Sequence, residues 1–81
     1  MVFIEHIVFQ DIINFIDKLR FESNISIEAF CENIIDSTTY WRYLTGKRLP
    51  SIEKFLMMIE KLGIKYSAFF EALENHLKRK I

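Results

Sequence analysis

Ile25-Ser26-Ile27-Glu28-Ala29-Phe30-Cys31-Glu32-Asn33-Ile34-Ile35-Asp36-Ser37-Thr38-Thr39-Tyr40-Trp41-Arg42-Tyr43-Leu44-Thr45-Gly46-Lys47-Arg48-Leu49-Pro50-Ser51, residues 25–51, is the stretch that decides the fold. Ser26 is a good N-cap, because its hydroxyl can accept from an otherwise unpaired first-turn amide. Glu28 then puts negative charge where the helix dipole favours it. The short helix that follows turns Phe30, Cys31 and Ile34 inward. Asp36 is a second N-cap, opening a helix over residues 37–44 that sets Tyr40, Tyr43 and Leu44 on one face. Gly46 marks its stop or the turn after it, and Ser51, directly after Pro50, caps the next helix.

The same spacing extends in both directions. Upstream, Phe9, Ile12, Ile13, Ile16 and Leu19 recur at steps of three and four, with Asp11, Asn14, Asp17, Lys18 and Arg20 mostly between them. Downstream, Ile52, Phe55, Leu56, Ile59 and Leu62 stripe a helix that Gly63 ends. Tyr66, Phe69, Phe70, Leu73 and Leu77 stripe a fifth, running into Lys78-Arg79-Lys80. No segment alternates with period two for long and no Asn-Gly or Asp-Gly pair occurs, so no sheet is expected beyond a short extended arm at residues 2–7. The expected architecture is all-α: five helices in a single domain over residues 1–81, with an N-terminal arm at residues 1–8. With 81 residues, about half of them apolar, the chain can build one core but not a second domain or a deep catalytic cleft.

Positive and negative side chains balance, so no global field draws the protein to nucleic acid. Their distribution is uneven. Six acids oppose two bases through Ile35, and nine bases oppose five acids from Asp36 onward, which makes the chain electrically polar along its length. The single cysteine, Cys31, cannot form an internal disulfide and lies within an apolar helical pattern, as a buried reduced thiol in a cytoplasmic protein would. The apolar opening Met1-Val2-Phe3-Ile4 is interrupted by Glu5, His6, Gln10 and Asp11, so neither a signal peptide nor a membrane span is expected.

The run from Ile25 to Ser51 resembles the helix-turn-helix of the XRE family, to which lambda repressor and Cro belong. It is nearest the variant that begins Rgg- and PlcR-type regulators. Phe30-Cys31 corresponds to the family's Leu-Ala pair, Asp36 to its cap residue and Arg42 to the arginine of its Ser-Arg-x-Glu run. Gly46-Lys47-Arg48-Leu49-Pro50-Ser51 corresponds to its Gly-Lys-Arg-x-Pro-Ser tail. Ile59, Leu62, Gly63 and Ile64 echo the family's Leu-Gly-Val close, so the resemblance spans roughly residues 12–73, with the helix-turn-helix at about residues 26–44. The chain departs from the pattern at Ile27, where many members carry a phosphate-clamping Gln, and at Leu44, where the family has Glu.

The resemblance implies a five-helix lambda-repressor-like domain and a sequence-specific, DNA-binding transcriptional regulator of repressor type, with a phage or mobile-element origin among its sources. Double-stranded DNA is the implied partner. A homodimer is implied too, because one such module reads a half-site. The fifth helix, with Phe69 and Phe70, and the apolar N-terminal arm are the candidate dimer surfaces. The chain ends where Rgg-like regulators would begin their peptide-sensing repeats, so no sensor of its own is expected.

In that fold the third helix enters the major groove, and by position the readers are Ser37, Thr38, Trp41 and Arg42. Arg42 suits a bidentate pair with guanine, worth about 1–3 kcal/mol of discrimination; its alternative is a surface ion pair. Ser37 and Thr38 suit bases or phosphate. Trp41, on the outer side, has three readings: contact with a thymine methyl or sugar, an anchor for a protein partner, or packing against the N-terminal arm. Lys47 and Arg48, with Lys54 behind them, suit phosphates, and a solvated charged loop is the plainer alternative. Ser26 and Ser51 are caps first, and Lys78, Arg79 and Lys80 complement a helix dipole. No catalytic set, metal site or cofactor motif is expected: His6 and His76 are far apart, Gly46 and Gly63 stand alone, and Cys31 has no companion. The rival function is a protein-binding module on this fold, an antirepressor or inhibitor that does not bind DNA. Ile27, Leu44, Trp41 and the charge balance favour it; Arg42 and the Gly46-Lys47-Arg48 turn oppose it.

Overall fold

In the computed structural model, which describes residues 9–79, five helices follow one another: α1 Phe9–Glu22, α2 Ile27–Cys31, α3 Ser37–Leu44, α4 Ile52–Lys61 and α5 Tyr66–Lys78. The architecture is all-α, with no strand among the described residues. The N-terminal arm and Lys80 lie outside them. Among the described residues no helix is long and apolar enough to cross a membrane.

Each boundary has a local cause. α1 closes on Asn24, whose φ of 61° is one that asparagine tolerates. The Asn24 amide donates to the Phe21 carbonyl at 3.0 Å and the Ile25 amide to that of Arg20 at 3.2 Å, pairing carbonyls a helix end leaves orphaned. Ser26 Oγ accepts from the Ala29 amide at 3.1 Å, Asp36 Oδ1 from Thr39 at 2.6 Å and Ser51 Oγ from Lys54 at 3.1 Å, so the three expected caps start α2, α3 and α4. Between α2 and α3 the chain turns at Asn33, again left-handed with φ 66°. α3 ends on Gly46, where φ is +78° and an added Cβ would stand 3.0 Å from Gln10 Oε1. Backbone angle and space both call for glycine there.

α1 packs on α3, α2 on both α3 and α4, and α4 on α5. Ile13, Ile16, Phe30, Tyr40, Met58, Ile59 and Phe69 are essentially sealed from solvent. An aromatic chain crosses the core: Phe9 on Phe55 with centroids 5.6 Å apart, Phe55 on Phe69 at 6.1 Å, Phe69 on Phe15 at 5.8 Å, and Phe15 stacked on His76 at 4.6 Å. Phe15 was not part of the expected stripe. It is buried because α5 covers a second side of α1, widening the apolar face. Phe69, expected at a dimer surface, is core, while Phe70 beside it is 45% exposed. Ile52 and Tyr66, expected inward, are exposed, since each is the first residue of its helix and projects past the packed turns.

Arg20, expected between the apolar positions, is also buried. Its Nε donates to Asp17 Oδ1 at 2.8 Å and its Nη1 to the Ile25 carbonyl at 2.6 Å. The Tyr40 hydroxyl, on α3, donates to that same Asp17 oxygen at 2.7 Å. Burial and the carboxylate beside it push the Tyr40 phenol far above its ordinary pKa, so it stays a donor at any physiological pH.

Removing the Tyr40 hydroxyl leaves half of this arrangement standing, whereas removing the carboxylate strands a buried guanidinium. Urea unfolding is expected to show Tyr40→Phe less stable by about 1–2 kcal/mol and Asp17→Ala by about 2–4 kcal/mol. Equal small losses would mean that the hydrogen bonds contribute little.

Candidate nucleic-acid interface

With Tyr40 and Tyr43 held in the core, the helical repeat turns positions 38, 41, 42 and 45 outward. Thr38, Trp41, Arg42 and Thr45 are exposed, and the Trp41 indole presents 54% of its residue surface to solvent. Ser37 is half-buried, less available than expected, and Thr39 is half-buried towards α4. Thr45 Oγ1 donates to the Trp41 carbonyl at 3.0 Å, closing the last turn beneath the exposed pair.

Lys47 and Arg48 are not a loose loop. Their amides both donate to the Arg42 carbonyl, at 2.9 and 3.3 Å, tying the basic turn to the peptide unit that carries Arg42. From the other side, Gln10 Nε2 on α1 donates to the Tyr43 and Leu44 carbonyls at 3.1 and 2.8 Å, pairing the exposed end of α3. Sequence reasoning missed this role of Gln10; its only trace there is a polar residue interrupting an apolar run.

Among the described residues the ion pairs are Lys18–Glu22, Arg20–Asp17 and Lys78–Glu74, so Arg42, Lys47 and Arg48 engage no carboxylate within 4.0 Å. Asp36 is an acid at this surface's edge. The Thr39 amide it accepts holds its carboxyl below the usual range, and the charges of Arg42 and Arg48 add to this. The structure therefore gathers Thr38, Trp41 and Arg42 on one strip with Lys47 and Arg48 at its end, and leaves Ser37 at its margin. Ile27 and Leu44 are half-buried and packed on the core, where they supply apolar contact.

Burial pushes the Cys31 thiol up from its ordinary pKa, the opposite of what a nucleophile needs. Among the described residues no three His, Cys, Asp or Glu side chains are grouped to hold a metal ion. Compared with known proteins, the chain matches no family model, no curated protein and no solved structure.

The Asp36 cap links stability to pH. Because folding lowers its pKa, the cap's electrostatic contribution is complete above the ordinary carboxylate value of about 3.9 and disappears as pH falls through the folded-state value. Asn caps a helix as well as Asp without titrating. Asp36→Asn is thus expected to flatten the acid limb of a stability-against-pH curve while leaving the helix content seen by circular dichroism intact. An unchanged acid limb would remove Asp36 as its source.

Proposed function

We propose that this protein is a sequence-specific DNA-binding transcriptional regulator of the XRE type, with α2 and α3 as its helix-turn-helix and α3 as the element that enters the major groove. The observation that carries this reading is the exposed strip of Thr38, Trp41 and Arg42 beside a basic turn whose cations pair with no carboxylate among the described residues. The resemblance of residues 25–51 to the family supports it independently. Arg42 serves as the base reader, because a guanidinium fork matches the two acceptors of guanine. Lys47 and Arg48 serve as phosphate contacts that fix register without reading sequence. Function as a repressor-type homodimer follows from the need to read two half-sites, with the half-exposed Phe70 face of α5 as a candidate contact between copies.

A second reading has its own observation. Trp41, Leu49 and Ile52 are all large, apolar and more than half exposed, which suits a protein-binding module that leaves DNA alone.

Fluorescence anisotropy with labelled duplexes separates the two. For the DNA reading, Lys47→Ala lowers affinity on every duplex and reduces the slope of log affinity against log salt by about one. Arg42→Ala weakens binding to a preferred site by about 1–3 kcal/mol with little effect on random duplex. Absence of binding at low salt, or binding indifferent to both substitutions, contradicts it.

A further inference from the structure

Behind the α3 strip, between α3 and the start of α4, lies a groove of about 440 Å³ that shares only Arg48 with the DNA contacts proposed above. Its lining includes the basic Arg48 and Lys54 and the apolar Ile35 and Leu49. Tyr43 lines it as well. That tyrosine is 97% buried by residue surface, yet among the described residues its hydroxyl has no hydrogen-bond partner. No side-chain oxygen or nitrogen there is both sealed from solvent and unpaired, so the Tyr43 hydroxyl must keep some accessible surface, and the groove is the opening that Tyr43 lines. Its electrostatic neighbours are Arg48, Asp36 and Cys31, and the first two line the groove. A phenol in this position differs sharply from Tyr40, whose hydroxyl is spent on Asp17. Among the described residues no other group engages the Tyr43 hydroxyl, which leaves it available in a groove that Arg48 and Lys54 also line.

We infer that this groove is a binding site for a small amphipathic organic anion, its phosphate or carboxylate held by Tyr43, Arg48 and Lys54 and its apolar body against Ile35 and Leu49. The apolar lining carries the second half of the assignment, and the volume leaves room for it, falling in the range of about 300–1,000 Å³ typical of small-molecule sites. Asp36 also lines the groove, but its Oδ1 accepts from the Thr39 amide and the charges of Arg48 and of Arg42 outside the groove act against its own. Burial raises the Tyr43 phenol above its ordinary pKa, so it stays protonated and able to donate at neutral pH. The site does not depend on the DNA reading. If that reading holds, Arg48 belongs to both surfaces and an occupant of the groove competes for it.

The experiment is an amide NMR titration of the full chain with phenyl phosphate, inorganic phosphate and phenol, run on wild type, Tyr43→Phe and Arg48→Ala. The expected result is saturable shifts confined to residues 35–54 with phenyl phosphate. Inorganic phosphate and phenol are each expected to bind at least tenfold more weakly, and both substitutions to weaken phenyl phosphate about tenfold or more. Tyr43→Phe loses no hydrogen bond among the described residues, so its spectrum and unfolding midpoint should match wild type and report the hydroxyl alone. The inference is overturned by shifts scattered over unrelated lysines such as Lys18 and Lys78, by affinity indifferent to both substitutions, or by inorganic phosphate binding as tightly as phenyl phosphate.

Discussion

One carboxylate oxygen sets the orientation on which the rest of the surface depends. Asp17 Oδ1 on α1 accepts both from Arg20 Nε and from the Tyr40 hydroxyl on α3. A buried phenol without a partner would be costly, so α3 can pack only with Tyr40 turned to Asp17. With Tyr40 fixed, the helical repeat leaves no choice for its neighbours: Tyr43 goes in, and Thr38, Trp41 and Arg42 go out. Gln10 adds a second strut from α1 by pairing the last carbonyls of α3. The exposed strip is therefore as rigid as the α1–α3 contact beneath it, which is what a surface presenting side chains at fixed spacing requires.

What could be read from sequence divides along physical lines. The starts of α2, α3 and α4 were legible because a cap is a contact between residues three apart: Ser26 with Ala29, Asp36 with Thr39, Ser51 with Lys54. The outward setting of Trp41 and Arg42 was legible for the same reason, following from Tyr40 and Tyr43 by helical period. Phe15 and Arg20 were misplaced, and Phe69, legible in the apolar stripe of α5, was also offered to a dimer surface, because their environment is made by distant elements. Two helices share α1, and the acceptors that let Arg20 be buried include the carbonyl of Ile25 in the following turn. The Asp17–Tyr40 bond joins positions 23 apart and leaves no periodic trace. At the candidate site, the charged residues were visible as residue types. The anchoring of Lys47 and Arg48 to the Arg42 carbonyl and the unpaired Tyr43 hydroxyl were not, being matters of backbone closure and packing.

Zero net charge is no obstacle to a local positive surface. The acids are concentrated ahead of Asp36, and several are spent in the ion pairs Asp17–Arg20 and Lys18–Glu22 or set on α2, while the bases after Asp36 include Arg42, Lys47 and Arg48, which form no ion pair among the described residues. Association with a polyanion is governed by that local field and falls with salt as the Debye length shrinks. Arg48 stands at the junction of the α3 strip and the groove behind it, so any event on one side changes the charge available to the other.

The chain contains a single tryptophan, and Trp41 lies in the middle of the strip, so intrinsic fluorescence reads the central claim without a label. If α3 faces DNA, adding duplex at low ionic strength quenches or blue-shifts the Trp41 emission in a saturable way, and raising the salt restores it. An emission spectrum that does not change across the titration would contradict the assignment of this face to DNA.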